Sequence, residues 1–217
     1  ITDGGLENAD ATTYGFGNPI TDWFERNQPS TGANNTANRA ELLEPDSGAN
    51  TPATTGDYWL NLKTSDRNPA VVYQSLGTWN TGDSVNLEFQ MDIGERTGTP
   101  FGSFVIEIWS EGAGFSPADG VDSFGANSLL GNTSTITETS LSQSGDGWAL
   151  IGHTETITLS GVSDSDTLWI RIKSNSSDNG SVEGNTLIDN LAVVPEPGTL
   201  ALVGIVLGTM VIFRRRR

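Results

Sequence analysis

The ten residues from Ser84 to Ile93 alternate between polar and apolar side chains, and this pattern constrains the fold more than any other feature. One side carries the apolar set, which is Val85, Leu87, Phe89, Met91 and Ile93. Because successive side chains of a strand point to opposite faces, the pattern predicts a half-buried β-strand. No segment outside the C-terminal tail keeps an apolar period of 3.6 residues, which a surface helix would need. The sequence therefore favours an all-β fold.

The same alternation recurs in other short segments of the chain, which are Phe104–Ile108, Ile157–Leu159 and Leu168–Ile172. Three further strands are predicted at Tyr58–Lys63, Ala70–Leu76 and Thr186–Val194. Many short strands joined by polar turns indicate an antiparallel two-sheet sandwich, here of about eight strands. The tight connections are expected at Thr78–Asp83 and Gly161–Asp166, and two long polar segments, Asn27–Thr55 and Gly112–Gly147, read as extended loops.

The charge distribution excludes nucleic acid as a partner. Four of the 11 basic residues are the terminal Arg214, Arg215, Arg216 and Arg217, which leaves 7 basic residues against 27 acidic ones in the rest of the chain. Such a body repels phosphates, which are bound by a basic surface. The acidity is typical of a soluble surface, and divalent-cation binding is the alternative. The chain has no cysteine, so it can form neither disulfides nor thiolate metal sites.

The last 23 residues, 195–217, differ in character from everything before them. Pro195 and Pro197 cannot donate to a strand ladder, and residues 198–213 are then apolar or small up to the four arginines. As a helix, Thr199–Phe213 would span about 22 Å, short of a hydrocarbon core of about 30 Å, and snorkelling arginines would cover the difference. We expect a transmembrane helix over 198–213 with Arg214–Arg217 in the cytoplasm, which places residues 1–194 on the far side.

This tail resembles the PEP-CTERM sorting signal of exported bacterial proteins in the order of its three parts: Pro195-Glu196-Pro197, an apolar helix and a basic end. The resemblance implies an exosortase, an intramembrane transpeptidase or protease, as the partner. It implies cleavage near Pro195–Pro197 and release to the cell surface or extracellular matrix of a two-membrane bacterium. An exported protein also needs a signal peptide, so we expect one to have preceded Ile1.

Residues 1–194 resemble galactose-binding-like jelly rolls in a series of short elements: Gly5–Asn8 with Trp23, Gly56–Leu60, Val72–Leu76, Gly82–Val85, Leu168–Ile172 and Leu187–Leu191. The resemblance implies a jelly-roll ectodomain over 1–194, of a kind that often binds carbohydrate and frequently holds a structural calcium ion. No cofactor is otherwise expected.

Strand phase predicts a candidate glycan site. If Ile106, Ile108 and Ile170 face the core, then the opposite face carries Glu107, Trp109, Trp169 and Arg171. Aromatic faces stack on sugar C–H groups, and charged groups bind hydroxyls, so this set has the composition of a sugar site. The alternative is that both tryptophans are buried beneath the long loops, as tryptophan usually is.

For calcium, the best carboxylates are Asp119, Asp122 and Asp189, with Glu7 as a fourth. Asp119 and Asp122 lie in an Asp-Gly-Val-Asp segment, which supplies two oxygen ligands around a tight turn. The spacing matches no EF-hand loop.

Catalytic patterns are missing from the sequence. His153 is the only histidine, no Gly-x-Ser-x-Gly elbow occurs, and His153 stands just before a predicted strand, as a surface residue. We therefore expect an exported, non-catalytic surface, matrix or biofilm protein that binds exopolysaccharide. The alternatives are a carbohydrate-active hydrolase or lyase that uses loop carboxylates, and a mechanical spacer without a ligand.

Overall fold

The computed structural model describes residues 23–25, 39–43, 59–64, 70–95, 98–113, 115–116, 124, 127–144, 151–175 and 184–194. Its strands are β1 (Phe24–Glu25), β2 (Arg39–Leu43), β3 (Trp59–Thr64), β4 (Val71–Thr78), β5 (Asn86–Glu95), β6 (Phe104–Ser110), β7 (Ser128–Asn132), β8 (Ile151–Thr158), β9 (Thr167–Ser174) and β10 (Gly184–Val194). No helix within these described ranges is long and apolar enough to cross a membrane.

The strands form two five-stranded sheets. The first sheet has the order β1-β4-β9-β6-β7 and the second has the order β2-β3-β10-β5-β8. All pairings within them are antiparallel. From β3 onwards, consecutive strands alternate between the sheets except for the β6–β7 pair, and this is the strand order of a jelly roll. The predicted all-β, two-sheet antiparallel sandwich is thus confirmed.

The core lies between the sheets and follows the predicted phases. Phe104, Ile106 and Ile108 of β6 are fully buried and alternate with half-buried Val105, Glu107 and Trp109. They belong to one apolar cluster with residues of the second sheet, which include Leu60, Leu62, Phe89, Met91, Ile93 and Ile188. Removing these side chains from water is the main favourable term for such a sandwich.

Two turns meet at one end of the sandwich, and we call residues 79–85 and 161–166 the turn end. The amide of Trp79 donates to the carbonyl of Asp166 at 2.8 Å, and the amide of Ser165 donates to the carbonyl of Trp79 at 2.9 Å. The amide of Thr81 donates to Oδ1 of Asp164 at 2.7 Å. This donation holds the pKa of Asp164 below its ordinary value of 3.8, because a hydrogen bond from a backbone amide favours the carboxylate. Strand β10 ends at the same end, since Val194 pairs with Glu88 near the start of β5.

The predicted strands at Tyr58–Lys63, Ala70–Leu76, Ser84–Ile93, Phe104–Ile108, Leu168–Ile172 and Thr186–Val194 each overlap an observed strand. The predicted long loops are wrong in part, because β2 lies within Asn27–Thr55 and β7 within Gly112–Gly147. Their sequences, Arg-Ala-Glu-Leu-Leu and Ser-Leu-Leu-Gly-Asn, contain no β-branched residue and show little alternation. The short β1 was also not predicted.

Two predictions about side-chain position are wrong. Val85 is 42% exposed instead of inward, because it precedes β5, which begins at Asn86, two residues after the predicted start at Ser84. His153 lies inside β8 and not before it. The predicted transmembrane helix over 198–213 lies outside the described residues.

Candidate functional site

The four side chains predicted for the glycan site come together as two cross-strand pairs. Strands β6 and β9 are antiparallel neighbours, with Glu107 opposite Arg171 and Trp109 opposite Trp169. All four belong to the face of the first sheet that points away from the core, because Ile106, Ile108 and Ile170 point into it. Directly opposite residues on one face are close enough to interact, so the register itself builds the cluster.

A charged network joins three of these residues. Oε2 of Glu107 accepts hydrogen bonds from Nη1 of Arg171 at 2.9 Å and from Nε1 of Trp109 at 2.9 Å. The guanidinium carbon of Arg171 lies 5.9 Å from the ring centroid of Trp109 and 5.3 Å from that of Phe124. These distances are within the range of cation–π attraction, which is strongest where the cation is shielded from water. The side chains of Arg171 and Glu107 are only 8% and 13% exposed.

Aromatic side chains cover the other part of this face. Val71, Tyr73, Phe124 and Trp169 form a second buried cluster, against which Trp109 and Phe115 are partly buried. The ring of Phe115 meets that of Trp169 edge-on at 5.0 Å, and the ring of Phe124 meets that of Tyr73 edge-on at 5.0 Å. Trp169 is consequently only 6% exposed, and its Nε1 donates to Oε2 of Glu111 at 3.1 Å.

The face is more open on the side of the edge strand β7. Asn132 lies opposite Glu107 and Leu129 lies opposite Trp109, and both β7 residues are exposed. Trp109 is half-buried, so of the two predicted tryptophans it is the more accessible to a ligand. The arrangement is an aromatic surface with one carboxylate–guanidinium pair, closed around Trp169 and open from Trp109 towards β7. Both tryptophans lie near the turn end, because Trp169 is the third residue of β9.

Sequence reasoning missed four members of this face: Tyr73, Glu111, Phe115 and Phe124. Tyr73 stands in the run Val71–Gln74, whose residues are all buried. This run does not alternate, so the sequence did not show which face of the sheet Tyr73 is on. Phe115 and Phe124 lie in a stretch that read as a polar loop. The one available signal was the presence of two phenylalanines in an otherwise polar, glycine-rich segment.

Of the four carboxylates predicted to bind calcium, the structure describes only Asp189. This residue lies on β10 of the second sheet, is fully buried and stands directly opposite Asp92 of β5. The amide of Asn190 donates to Oδ1 of Asp189 at 2.7 Å. Asp119, Asp122 and Glu7 lie outside the described residues. Asp92 was not predicted as a ligand, because the alternation in β5 shows which face Asp92 is on but not that it lies opposite Asp189.

The residues around Asp189 fit calcium only in part. Two opposed carboxylates are the hard oxygen donors that calcium prefers, but calcium needs six to eight oxygens. Among the residues that the structure describes, no three or more histidine, aspartate or glutamate side chains form a possible metal site. Calcium binding therefore stays a prediction.

His153 lies in the second sheet, away from the aromatic face. Its Nε2 is 2.8 Å from Oε1 of Glu155, two residues along β8, and their side chains are 21% and 27% exposed.

Residues 193–217 match the PEP-CTERM protein-sorting motif. The C-terminus of this chain thus carries that sorting motif, as the order of Pro195-Glu196-Pro197, apolar segment and arginines predicted. Among curated protein sequences, none matches the chain significantly.

Solved structures similar to this chain have low sequence identity. The K1 cleaved adhesin domain of Lys-gingipain from Porphyromonas gingivalis W83 is 10% identical, with a TM-score of 0.47 over 88% of this chain and 96% of that one. The CBM22-1 xylan-binding domain of Paenibacillus barcinonensis Xyn10C is 8% identical, with a TM-score of 0.43 over 79% and 83%. A non-crystalline cellulose-specific carbohydrate-binding module, CBM28, is 12% identical, with a TM-score of 0.43 over 79% and 87%. Since these TM-scores are below 0.5, the fold of this chain rests on its own strand order.

Proposed function

We propose that this chain is an exported surface or extracellular-matrix protein that an exosortase sorts and that binds polysaccharide without catalysing a reaction. Residues 1–194 are the binding ectodomain, and residues 195–217 are the sorting signal. Residues 198–213 hold the precursor in the inner membrane, with Arg214–Arg217 in the cytoplasm. Processing near Pro195–Pro197 then frees the sandwich.

The observation that carries the sorting part is the motif match over 193–217. The match covers the proline-flanked segment, the apolar stretch and the arginines in one continuous run. A cluster of arginines at the end of an apolar stretch favours retention of that end in the cytoplasm.

The polysaccharide part is supported by the outer face of the first sheet. Trp109 is partly exposed on the open side, and the Glu107–Arg171 pair beside it carries an acceptor and donors of the kind that bind hydroxyl groups. Sugar sites combine an aromatic platform with a few polar groups of fixed orientation, and both parts are present within two cross-strand pairs.

The non-catalytic part is supported by how the acids of this face are engaged. One oxygen of Glu107 accepts from both Arg171 and Trp109, and an oxygen of Glu111 accepts from Trp169. A glycosidase needs one carboxylic acid to protonate the leaving oxygen and a second carboxylate as base or nucleophile. One oxygen of each carboxylate is thus engaged within the fold, which supports a binding role and not proton transfer.

The sorting part is tested by the mass of the mature protein. The full precursor is expressed with and without an exosortase, and the intact product is weighed. We expect a product ending near Pro195–Gly198 only when the exosortase is present. A product that keeps Arg217 in both strains would make the tail a permanent membrane anchor.

The polysaccharide part is tested by affinity electrophoresis through gels that contain candidate exopolysaccharides. We expect the wild-type domain to be retarded and Trp109→Ala to lose about tenfold in affinity, because a stacking aromatic residue is a typical hot spot. Trp79→Ala is the matched control, since Trp79 is also partly buried but packs against the main core. Equal retardation of both variants would contradict a site at Trp109.

A further inference from the structure

Strand β10 has two parts with different pairing. From Gly184 to Ile188 it pairs with β3, and from Thr186 to Asp189 it also pairs with β5. A β-bulge follows between Asp189 and Ala192, where Asn190 has a positive φ of 50°. Beyond the bulge, the registered pairs Ala192–Gln90, Val193–Phe89 and Val194–Glu88 join β10 to β5. Among the residues that the structure describes, this last part is therefore paired on one side only.

The sorting motif overlaps this singly paired part. The motif match begins at residue 193, whereas β10 continues to Val194. Pro195 follows without a spacer. An extended chain reaches at most about 3.6 Å per residue, so Pro197 lies within roughly 11 Å of the last paired residue.

A processing enzyme needs more room than this. A protein that recognises an extended peptide by strand addition binds its main-chain groups over several residues. We take the sorting enzyme to bind the chain around Pro195–Pro197 in this way. The two sheets are packed about 10 Å apart, so a bulky folded body begins immediately before the motif. An active site that surrounds Pro195–Pro197 would collide with the sandwich while Val194 stays on β5.

We infer that Ala192–Val194 form part of the segment that the sorting enzyme binds, and that they leave β5 before the chain is processed. This inference rests on the proposed sorting by an exosortase. The hinge is the end of the bulge, between Leu191 and Ala192, because the chain already departs from regular pairing between Asp189 and Ala192. Leu191, which is 1% exposed in the core, anchors the remainder of β10. The sandwich thus stays folded while Ala192–Val194 leave β5 and bind to the enzyme.

The test uses a disulfide lock in the membrane-bound precursor, because residues 1–217 contain no cysteine that could compete with it. Gln90→Cys with Ala192→Cys joins the end of β10 to β5 at two exposed, directly paired positions. Gln90→Cys with Thr154→Cys is the matched control, since it joins the same β5 position to β8. Directly opposite residues in antiparallel strands have Cα atoms about 4.5–5.5 Å apart, which a disulfide can bridge. Processing by exosortase-containing membranes is followed by intact mass.

We expect the oxidised Gln90–Ala192 lock to slow processing by about tenfold or more, with recovery on reduction, because a locked segment cannot open locally. The oxidised Gln90–Thr154 lock should be processed at the wild-type rate. Wild-type processing rates for both locks would overturn the inference. Equal slowing of both locks would also overturn it, because processing would then require unfolding of the whole sandwich and not release of Ala192–Val194. A wild-type precursor that is never processed would refute the proposed sorting itself.

Discussion

Arg171 and Glu107 are an ion pair on the outer face of a sheet, yet both side chains are almost removed from water. Breaking such a pair from one side leaves the other charge buried without a counter-charge. We expect Arg171→Met to lower the free energy of unfolding by about 3 kcal/mol, measured by urea denaturation.

The double variant Glu107→Gln with Arg171→Met is the control for this effect. It leaves no charge buried, so it should recover part of the lost stability. Equal destabilisation in the single and double variants would mean that packing of the Arg171 side chain against Phe124 and Trp109, and not its ion pair with Glu107, stabilises this face.

Asp164 makes one contact at the turn end depend on pH. Its pKa is lowered chiefly by the hydrogen bond from the backbone amide of Thr81. A carboxyl group whose pKa is lower in the folded state adds stability above its unfolded pKa of about 3.8, and this contribution disappears as the pH falls through the folded value.

We therefore expect Asp164→Asn to lower stability at neutral pH and to make the acid loss below about pH 4 less steep. Urea midpoints across the acid range measure both effects. Parallel pH curves for the two proteins would show that the contact does not contribute.

The sequence predicted four residues of the candidate site, because the alternation of the two strands shows which face of the sheet each side chain is on. Glu107, Trp109, Trp169 and Arg171 share one face, as the alternation around Ile106 and Ile170 required. Burial of the tryptophans beneath the long loops was the stated alternative, and Trp169 is indeed buried under Phe115 and Phe124 of the segment Gly112–Gly147. Which rings cover it was not predictable. Those rings arrive from a segment without periodicity, so only tertiary packing places them.

The edge strands β7 and β8 come into close contact at Gly131. A Cβ atom there would lie 2.7 Å from Cγ2 of Ile157 and 2.8 Å from the backbone oxygen of Thr158. The backbone oxygen cannot move aside alone, so the two sheets would have to separate locally. We expect Gly131→Ala to cost about 1–3 kcal/mol of unfolding free energy, measured by thermal or urea denaturation.

Gly152→Ala is the matched control on β8. A Cβ atom at that position would meet only Oδ1 of Asp92 at 3.6 Å, an ordinary contact. Its stability should stay within about 0.5 kcal/mol of the wild type. A similar loss in both variants would mean that glycine matters for reasons other than the approach of the sheets.

The strands with clear alternation were predicted together with their inward faces, β3, β4 and β10 were predicted without them, and β1, β2 and β7 were not predicted. Strands β5, β6 and β9 each bury one face against the core, which imposes period two on their sequences. Strand β7 lies at a sheet edge and contains Gly131, which the close approach of β8 requires. Its sequence therefore shows no alternation between buried and exposed side chains.

Taken as one molecule, the sandwich closes its last strand at Val194, directly before Pro195 and inside the motif match over 193–217. We expect a chain that ends at Val194 to keep its melting temperature within about 2 °C of the full-length protein, because every registered β10 pair remains.

Ending the chain at Leu191 should lower the melting temperature by about 5–10 °C. It removes three registered pairs with β5 and the packing of Val193, at about 1 kcal/mol per hydrogen bond. Differential scanning calorimetry distinguishes the two truncations. Equal melting temperatures would mean that Ala192–Val194 contribute nothing to the fold.

The turn end gathers three things: the end of β10, the interlocked turns and the two tryptophans of the aromatic face. If residues 198–213 span the bilayer as proposed, only three residues separate Val194 from the membrane. The turn end would then lie close to the lipid headgroups. A bulky, hydrated polymer would then be sterically kept from Trp109 for as long as the precursor stays attached. Proteolytic release would remove this obstruction, so the precursor would bind polymer more weakly than the released sandwich.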